Sequence, residues 1–166
     1  MKTSQANRGK WFEKVIETAN TVYKIKKIAI VNKIPTPINM NKKGKKAFYE
    51  EKSTVDFIGI MRNGKHIAFD TKEVSLTRFP FKNISDHQEE YLTDTHKMGG
   101  AAFILVYFKT KQECYLLNIT DYIDYKTTTD MKSIPYSWFK DHAIHVTSSN
   151  GVAFDYMKQV ERVFNQ

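Results

Sequence analysis

The chain has 166 residues, 41% of them apolar and 13% aromatic, with 26 Lys plus Arg against 18 Asp plus Glu, a formal net charge of +8. That length and apolar content suit a single domain with a sizeable core and exclude wholesale disorder. The longest apolar run, residues 101–108, falls well short of the roughly 18 residues of a membrane-spanning helix.

The polar N-terminus has no apolar stretch of the kind that marks a secretory signal, and a single cysteine, Cys114, permits no internal disulfide. A cytoplasmic protein without a membrane partner is expected. The positive balance favours polyanions, nucleic acid first, through counterion release. Lys42, Lys43, Lys45 and Lys46 form the densest basic run, and Phe48 and Tyr49 follow it, pairing cations with aromatic faces on which bases can stack. A solvated loop explains that run equally well.

In chain order, Trp11, Phe12, Val15, Ile16, Ala19, Val22 and Tyr23 form one stripe of a 3.6-residue period and predict a helix with a buried face. Residues 28–34 read as a short strand, ended by Pro35 and Pro37, which cannot donate to a ladder. Residues 54–61 and 66–73 are strand-like and flank Asn63-Gly64, a strong hairpin signal. Ser85 with Gln88 three residues on has the form of a capping box, so a helix is expected to start there and to stop at Gly99-Gly100. Residues 101–108 predict a strand covered on both faces, and residues 114–119 another. Residues 120–150 are the least legible, with a short helix after Thr120 and a loop near 127–130; a last helix over about 154–164 presents Met157, Val160, Val163 and Phe164 to the core. The expected class is α/β, helices around a central sheet.

The hairpin carries the chemistry: Asp56 on its first strand and Asp70-Thr71-Lys72 on its second. Strand alternation puts Asp70 and Lys72 on one face, with Thr71 on the other. A two-residue loop at Asn63-Gly64 sets Asp56 against Thr71, on the wrong face. A three-residue loop of the G1-bulge type sets Asp56 against Lys72, so that all three side chains converge. Function through these residues therefore predicts an odd loop. Two carboxylates beside an ammonium suit metal-assisted phosphodiester hydrolysis: carboxylate oxygens hold Mg²⁺, and the lysine orients water or stabilises charge. Glu13 is a further acidic candidate. As a bare pattern, Asp then Asp-x-Lys is weak, because a solvated Lys-Asp strand face satisfies it too.

Asn7-Arg8-Gly9, Lys33-Ile34-Pro35-Thr36-Pro37, Thr54-Val55-Asp56-Phe57-Ile58-Gly59, Phe69-Asp70-Thr71-Lys72-Glu73, Phe79-Pro80-Phe81-Lys82-Asn83 and Asp86-His87-Gln88 follow one another in order and spacing. Together they resemble the RecU Holliday-junction resolvases, over most of the chain from about residue 7 to the last helix. The resemblance implies a restriction-endonuclease-like core with a central mixed sheet, and one nuclease domain over 1–166 with a short basic protruding segment at about 38–53. It also implies a homodimeric, Mg²⁺-dependent endonuclease, Mn²⁺ being able to substitute, that nicks four-way junction DNA symmetrically in recombination and repair. It suggests a nucleoid-associated or phage-encoded setting, with a recombinase or branch-migration protein as a further partner. By the same resemblance, Asp56 and Asp70 match the family's metal-binding acids, Lys72 its catalytic lysine, Glu13 an acidic position on the first helix, and Gln88 a glutamine near the site. Glu13 among Lys10, Lys14 and Glu17 also reads as a salt-bridged surface residue, and Gln88 as the capping partner of Ser85.

Three departures stand out. Val55 replaces the superfamily's proline, Asp70 stands where the family usually has Glu, and the stretch between Pro37 and Thr54 is shorter than the family's stalk. The lack of an N-terminal extension suggests a compact version of the family. Alternatives are a non-catalytic junction-binding factor of the same fold and a less selective DNA endonuclease. Arg8, Lys42, Lys43, Lys45, Lys46, Arg78 and Lys82 are the candidate DNA contacts, with Phe79 and Phe81 serving equally as core anchors. His142-x-x-His145 has ligand spacing but no cysteine or acidic partner at zinc-finger spacing, and His66, His87 and His96 read as isolated residues. Cys114 in an apolar strand reads as a buried small hydrophobe.

Overall fold

The computed structural model describes residues 9–35 and 54–164, together with a short pairing of strands β2 (Asn39–Met40) and β3 (Ala47–Phe48). Arg8, Lys42, Lys43, Lys45 and Lys46 lie outside the described residues. Helix α1, Lys10–Ile25, buries Phe12, Ile16, Ala19 and Tyr23 along its predicted stripe. It leads into β1, Ala29–Lys33. The hairpin is β4, Phe57–Met61, and β5, His66–Val74. Strand β6, Arg78–Pro80, and a 3-10 turn, Phe81–Asn83, come before helix α2, Asp86–Lys97. Then follow β7, Ala101–Phe108; β8, Glu113–Asn118; α3, Ile119–Thr128; β9, Ser133–Pro135; α4, Tyr136–His142; β10, Ile144–Val146; and α5, Tyr156–Phe164.

Six strands form a mixed sheet in the order β1-β4-β5-β7-β8-β10, with β5 and β7 parallel and the other neighbours antiparallel. The parallel pair needs a crossover, and α2 supplies it. Every residue of β7 is buried, as its continuous apolar run predicts. Its alternate side chains feed two cores. Phe103 and Leu105 pack with residues of α1 and α5 such as Phe12, Ile16, Met157 and Val160. Ile104 and Val106 pack with Leu92 of α2, Tyr122 of α3 and Phe139 of α4. The central strands thus stand between two helical layers, and each fully buried large side chain contributes roughly 1.5–3 kcal/mol.

Several boundaries differ from expectation. Strand β4 starts at Phe57, not Thr54. Strand β8 ends at Asn118, because the Asn118 side chain accepts a hydrogen bond from the Thr120 N–H at 3.3 Å and starts α3 there. The last helix starts at Tyr156, and Asp155 just before it is tied back to α1: Tyr23 Oη donates to Asp155 Oδ1 at 2.9 Å, and Ser149 Oγ donates to Oδ2 at 2.6 Å. Residues 120–150 hold β9, α4 and β10, elements of three to seven residues, too short for a hydrophobic period to show. Among the described residues no helix is long and apolar enough to cross a membrane.

Candidate active site

Loop length decides whether the hairpin brings its acids together. Phe57 pairs with Phe69 and Ile60 with His66, leaving Arg62-Asn63-Gly64 as a three-residue loop, with the Met61 N–H bonded to the Lys65 carbonyl at 2.9 Å. Gly64, at φ 84°, takes the left-handed position that such a loop requires. The odd loop is present, but its register is a correction: one further step along the ladder brings Asp56 level with Asp70, not with Lys72. The loop closes at Gly64 and not at Lys65, which shifts the pairing while keeping the parity.

Strand β4 ends its pairing at Phe57 and leaves one edge of β5 without a strand partner from Asp70 onward, while β7 continues to pair along the other edge. Asp56 fills that gap. Its Oδ2 accepts from both the N–H and Oγ1 of Thr71, each at 2.8 Å, and its own N–H donates to Asp70 Oδ1 at 3.1 Å. The Ile34 N–H, just past β1, donates to the Asp56 carbonyl at 2.8 Å and fixes this turn from the other side. Thr71, expected to point away, is therefore the residue that orients the Asp56 carboxylate.

Asp70 is completely buried. Its Oδ1 also accepts from Gln88 Nε2 at 3.1 Å. Its Oδ2 forms an ion pair with the Lys72 ammonium at 2.5 Å. Burial pushes the Asp70 carboxyl up to about 7; Lys72 pulls it down and the neighbouring Asp56 pushes it further up. An unfolded aspartate titrates near 3.9, so between about pH 4 and pH 7 the native chain keeps a proton that the unfolded chain releases. Stability without metal consequently falls as pH rises through that window. Thermal melts in EDTA should show this slope in the wild type and its loss in Asp70→Asn; parallel curves would contradict it.

Gln88 satisfies both of its sequence readings. Its Oε1 accepts from the Ser85 N–H at 3.1 Å as in a capping box, while its Nε2 holds Asp70. Gln88→Glu keeps the capping acceptor but turns the donor facing Asp70 into a second carboxylate. It should fold like the wild type and cut DNA about 10–100-fold more slowly, the range for losing a partner that orients a ligand. Wild-type cutting by this variant would leave capping as its whole role.

Glu13 lines the same cleft of about 280 Å³ as Asp56, Thr71, Lys72, Glu73 and Asn83. It is ion-paired with Lys33 of β1 at 2.7 Å, and Lys33 also reaches Glu17 at 3.2 Å. Among the described residues no three His, Cys, Asp or Glu side chains are grouped closely enough to hold a metal ion. Asn83 lines the cleft, and Lys33 borders it only through its ion pair with Glu13; both roles depend on the fold, since no local pattern in the sequence marks either residue. Arg78 and Lys82 are exposed on β6 and the following turn, while Phe79 is fully buried and acts as a core anchor. His142 bonds the Trp138 carbonyl and stacks on its ring, and His145 stacks on Tyr115. Cys114 is buried, and burial pushes its thiol up, as expected of a core residue.

The fold and site define an α/β protein that carries an Asp…Asp-x-Lys set at the open edge of a central strand. A family model described as RecU, Recombination protein U, matches residues 7–162, and the chain belongs to that family. It is 30% identical to the Holliday junction resolvase RecU of Levilactobacillus brevis over 98% of this chain and 87% of that protein. To the Holliday junction resolvase RecU of Staphylococcus aureus strain JH9 it is 33% identical over 94% of this chain and 81% of that one. Among solved structures it is similar to Hjc, a Holliday junction resolvase of Archaeoglobus fulgidus, with a TM-score of 0.42 and 12% identity over 68% of this chain and 73% of that one.

Proposed function

We propose that this protein is a divalent-metal-dependent DNA endonuclease that resolves four-way junctions, with Asp56 and Asp70 as metal ligands and Lys72 as the catalytic lysine. The observation that carries this reading is the wholly buried Asp70, held between Gln88, Asp56 and Lys72 at an uncovered strand edge. Its support is membership of a family whose similar members are named Holliday junction resolvases.

The donor set fits Mg²⁺ or Mn²⁺. Both are hard cations, and Mg²⁺ is commonly held by one or two carboxylates, with water and substrate phosphate completing its shell. Asp70 Oδ2, buried and met by the Lys72 ammonium alone, suits such a cation. When bound, the metal acidifies water and neutralises charge developing on the phosphate. The protein's own part is orientation. Thr71 fixes one oxygen of Asp56, and Gln88 with the Asp56 N–H fixes one oxygen of Asp70. Lys72, partly exposed beside Asp70, would orient the attacking water or balance charge on the phosphate. Two symmetric nicks across a two-fold junction call for two such sites, hence a homodimer.

The test is a labelled four-way junction and a linear duplex of the same sequence, each with Mg²⁺ or EDTA. Paired, symmetric, Mg²⁺-dependent nicks in the junction alone are expected. Binding with no cutting under any divalent metal would overturn the nuclease reading, and equal cutting of both DNAs would overturn the junction selectivity.

A further inference from the structure

A second concave surface adjoins the cleft. Strands β6 and β9 pair antiparallel, Arg78 with Pro135, Phe79 with Ile134 and Pro80 with Ser133. Phe79 and Ile134 are fully buried, so alternation turns Arg78, Pro80 and Ser133 outward. The Phe81 N–H donates to the Lys132 carbonyl at 3.1 Å, which carries the pairing one step further and sets Lys132 beside the turn that bears Lys82. Arg78, Lys82 and Lys132, with Leu76, Pro80, Phe81 and Ser133, line a groove of about 460 Å³. No acidic residue lines it, and none of its three cations has an ion pair among the described residues, whereas Lys33, Lys72, Lys109 and Lys126 all do. Asn83, the next residue after Lys82, lines the cleft that holds Asp56 and Lys72.

We propose that this ribbon groove binds the phosphodiester backbone of a duplex DNA arm next to the cleavage site, with Lys132 completing a three-cation phosphate contact with Arg78 and Lys82. The proposal rests on the DNA-cleaving reading above and deepens it. An acid-free, concave, trivalent surface joined to the cleft suits a polyanion that continues past the reacting phosphate. The ribbon, anchored by Phe79 and Ile134, sets the backbone positions from which the three exposed side chains reach. Phosphate contacts position without reading sequence or branching, so the groove serves duplex and junction alike.

The experiment is anisotropy titration of a labelled linear duplex and a four-way junction in EDTA, over roughly 50–200 mM salt. Lys132→Gln should weaken both about 5–10-fold at 0.1 M salt and lower the salt slope by about one. Lys82→Gln combined with Lys132→Gln should lower it by about two, while Lys132→Arg keeps wild-type behaviour. Lys158→Gln, an exposed change on α5, should leave affinity and slope as they are. Unchanged affinity in Lys132→Gln, a loss of affinity with unchanged slope, or an equal loss in Lys158→Gln would each overturn the proposal. These arms use no metal and no cutting, so failure of the groove is distinct from failure of the nuclease reading, which shows as a wild type that binds junctions but never cuts them.

Discussion

Asp70→Ala should abolish junction cutting, slowing it by at least on the order of 10³-fold, while junction affinity in EDTA stays near that of the wild type. Asp70 is fully buried beside Lys72 and takes no part in the exposed basic groove, so under the proposed function its loss removes a metal ligand and not a DNA contact. Mg²⁺ should raise the melting temperature of the wild type and leave that of the variant where it is, because a ligand stabilises only the fold that binds it. Single-turnover cleavage and thermal melts with and without Mg²⁺ check the two effects separately. Retained cutting by the variant would place the chemistry elsewhere in the molecule, whatever happened to the melts.

Gly59→Ala should be among the most damaging single-methyl changes in this chain. Gly59 pairs with Val31, and a Cβ there would lie 2.1 Å from the Ile30 carbonyl oxygen and 2.7 Å from Val31 Cα. These are backbone atoms, so no side-chain rotation relieves the overlap, and β1 has to move away from β4. The expected cost is on the order of 3 kcal/mol, or roughly 6–12 °C in melting temperature for a domain of this size. The displaced strand carries Lys33, the partner of Glu13, and leads to Ile34, which holds the Asp56 carbonyl. Cutting should therefore fall together with stability. A melting temperature within a degree of the wild type would show that the two strands tolerate the overlap.

The two predictions differ in how visible their causes are in the sequence. Asp70 and Lys72 stand two apart in a strand-like run, so their shared face is a local consequence of the pleat. Gly59 carries no such sign, since what it admits is a strand nearly thirty residues earlier in the chain. Gln88 lies between these cases: its capping role is legible from its spacing to Ser85, while its bond to Asp70 depends on where α2 meets β5. Thr71 shows how alternation alone misleads. Its side chain does point away from Asp70, yet Asp56 reaches round the free strand edge to meet it.

The sequence by itself determined the elements with a sustained period or a strong terminal signal: α1, the hairpin, the capped α2 and the wholly apolar β7. With the motif series it also determined the family and the three residues to which chemistry is assigned. Only the tertiary structure decided the rest. The closing point of the hairpin loop set Asp56 level with Asp70, and the early end of β4 opened the edge of β5. The β6–β9 pairing carried Lys132 some fifty residues back along the chain to Arg78 and Lys82. Propensity, capping and alternation act over a few residues and are written locally. Register and strand pairing are settled by packing between segments far apart in the chain, where no local pattern records the outcome.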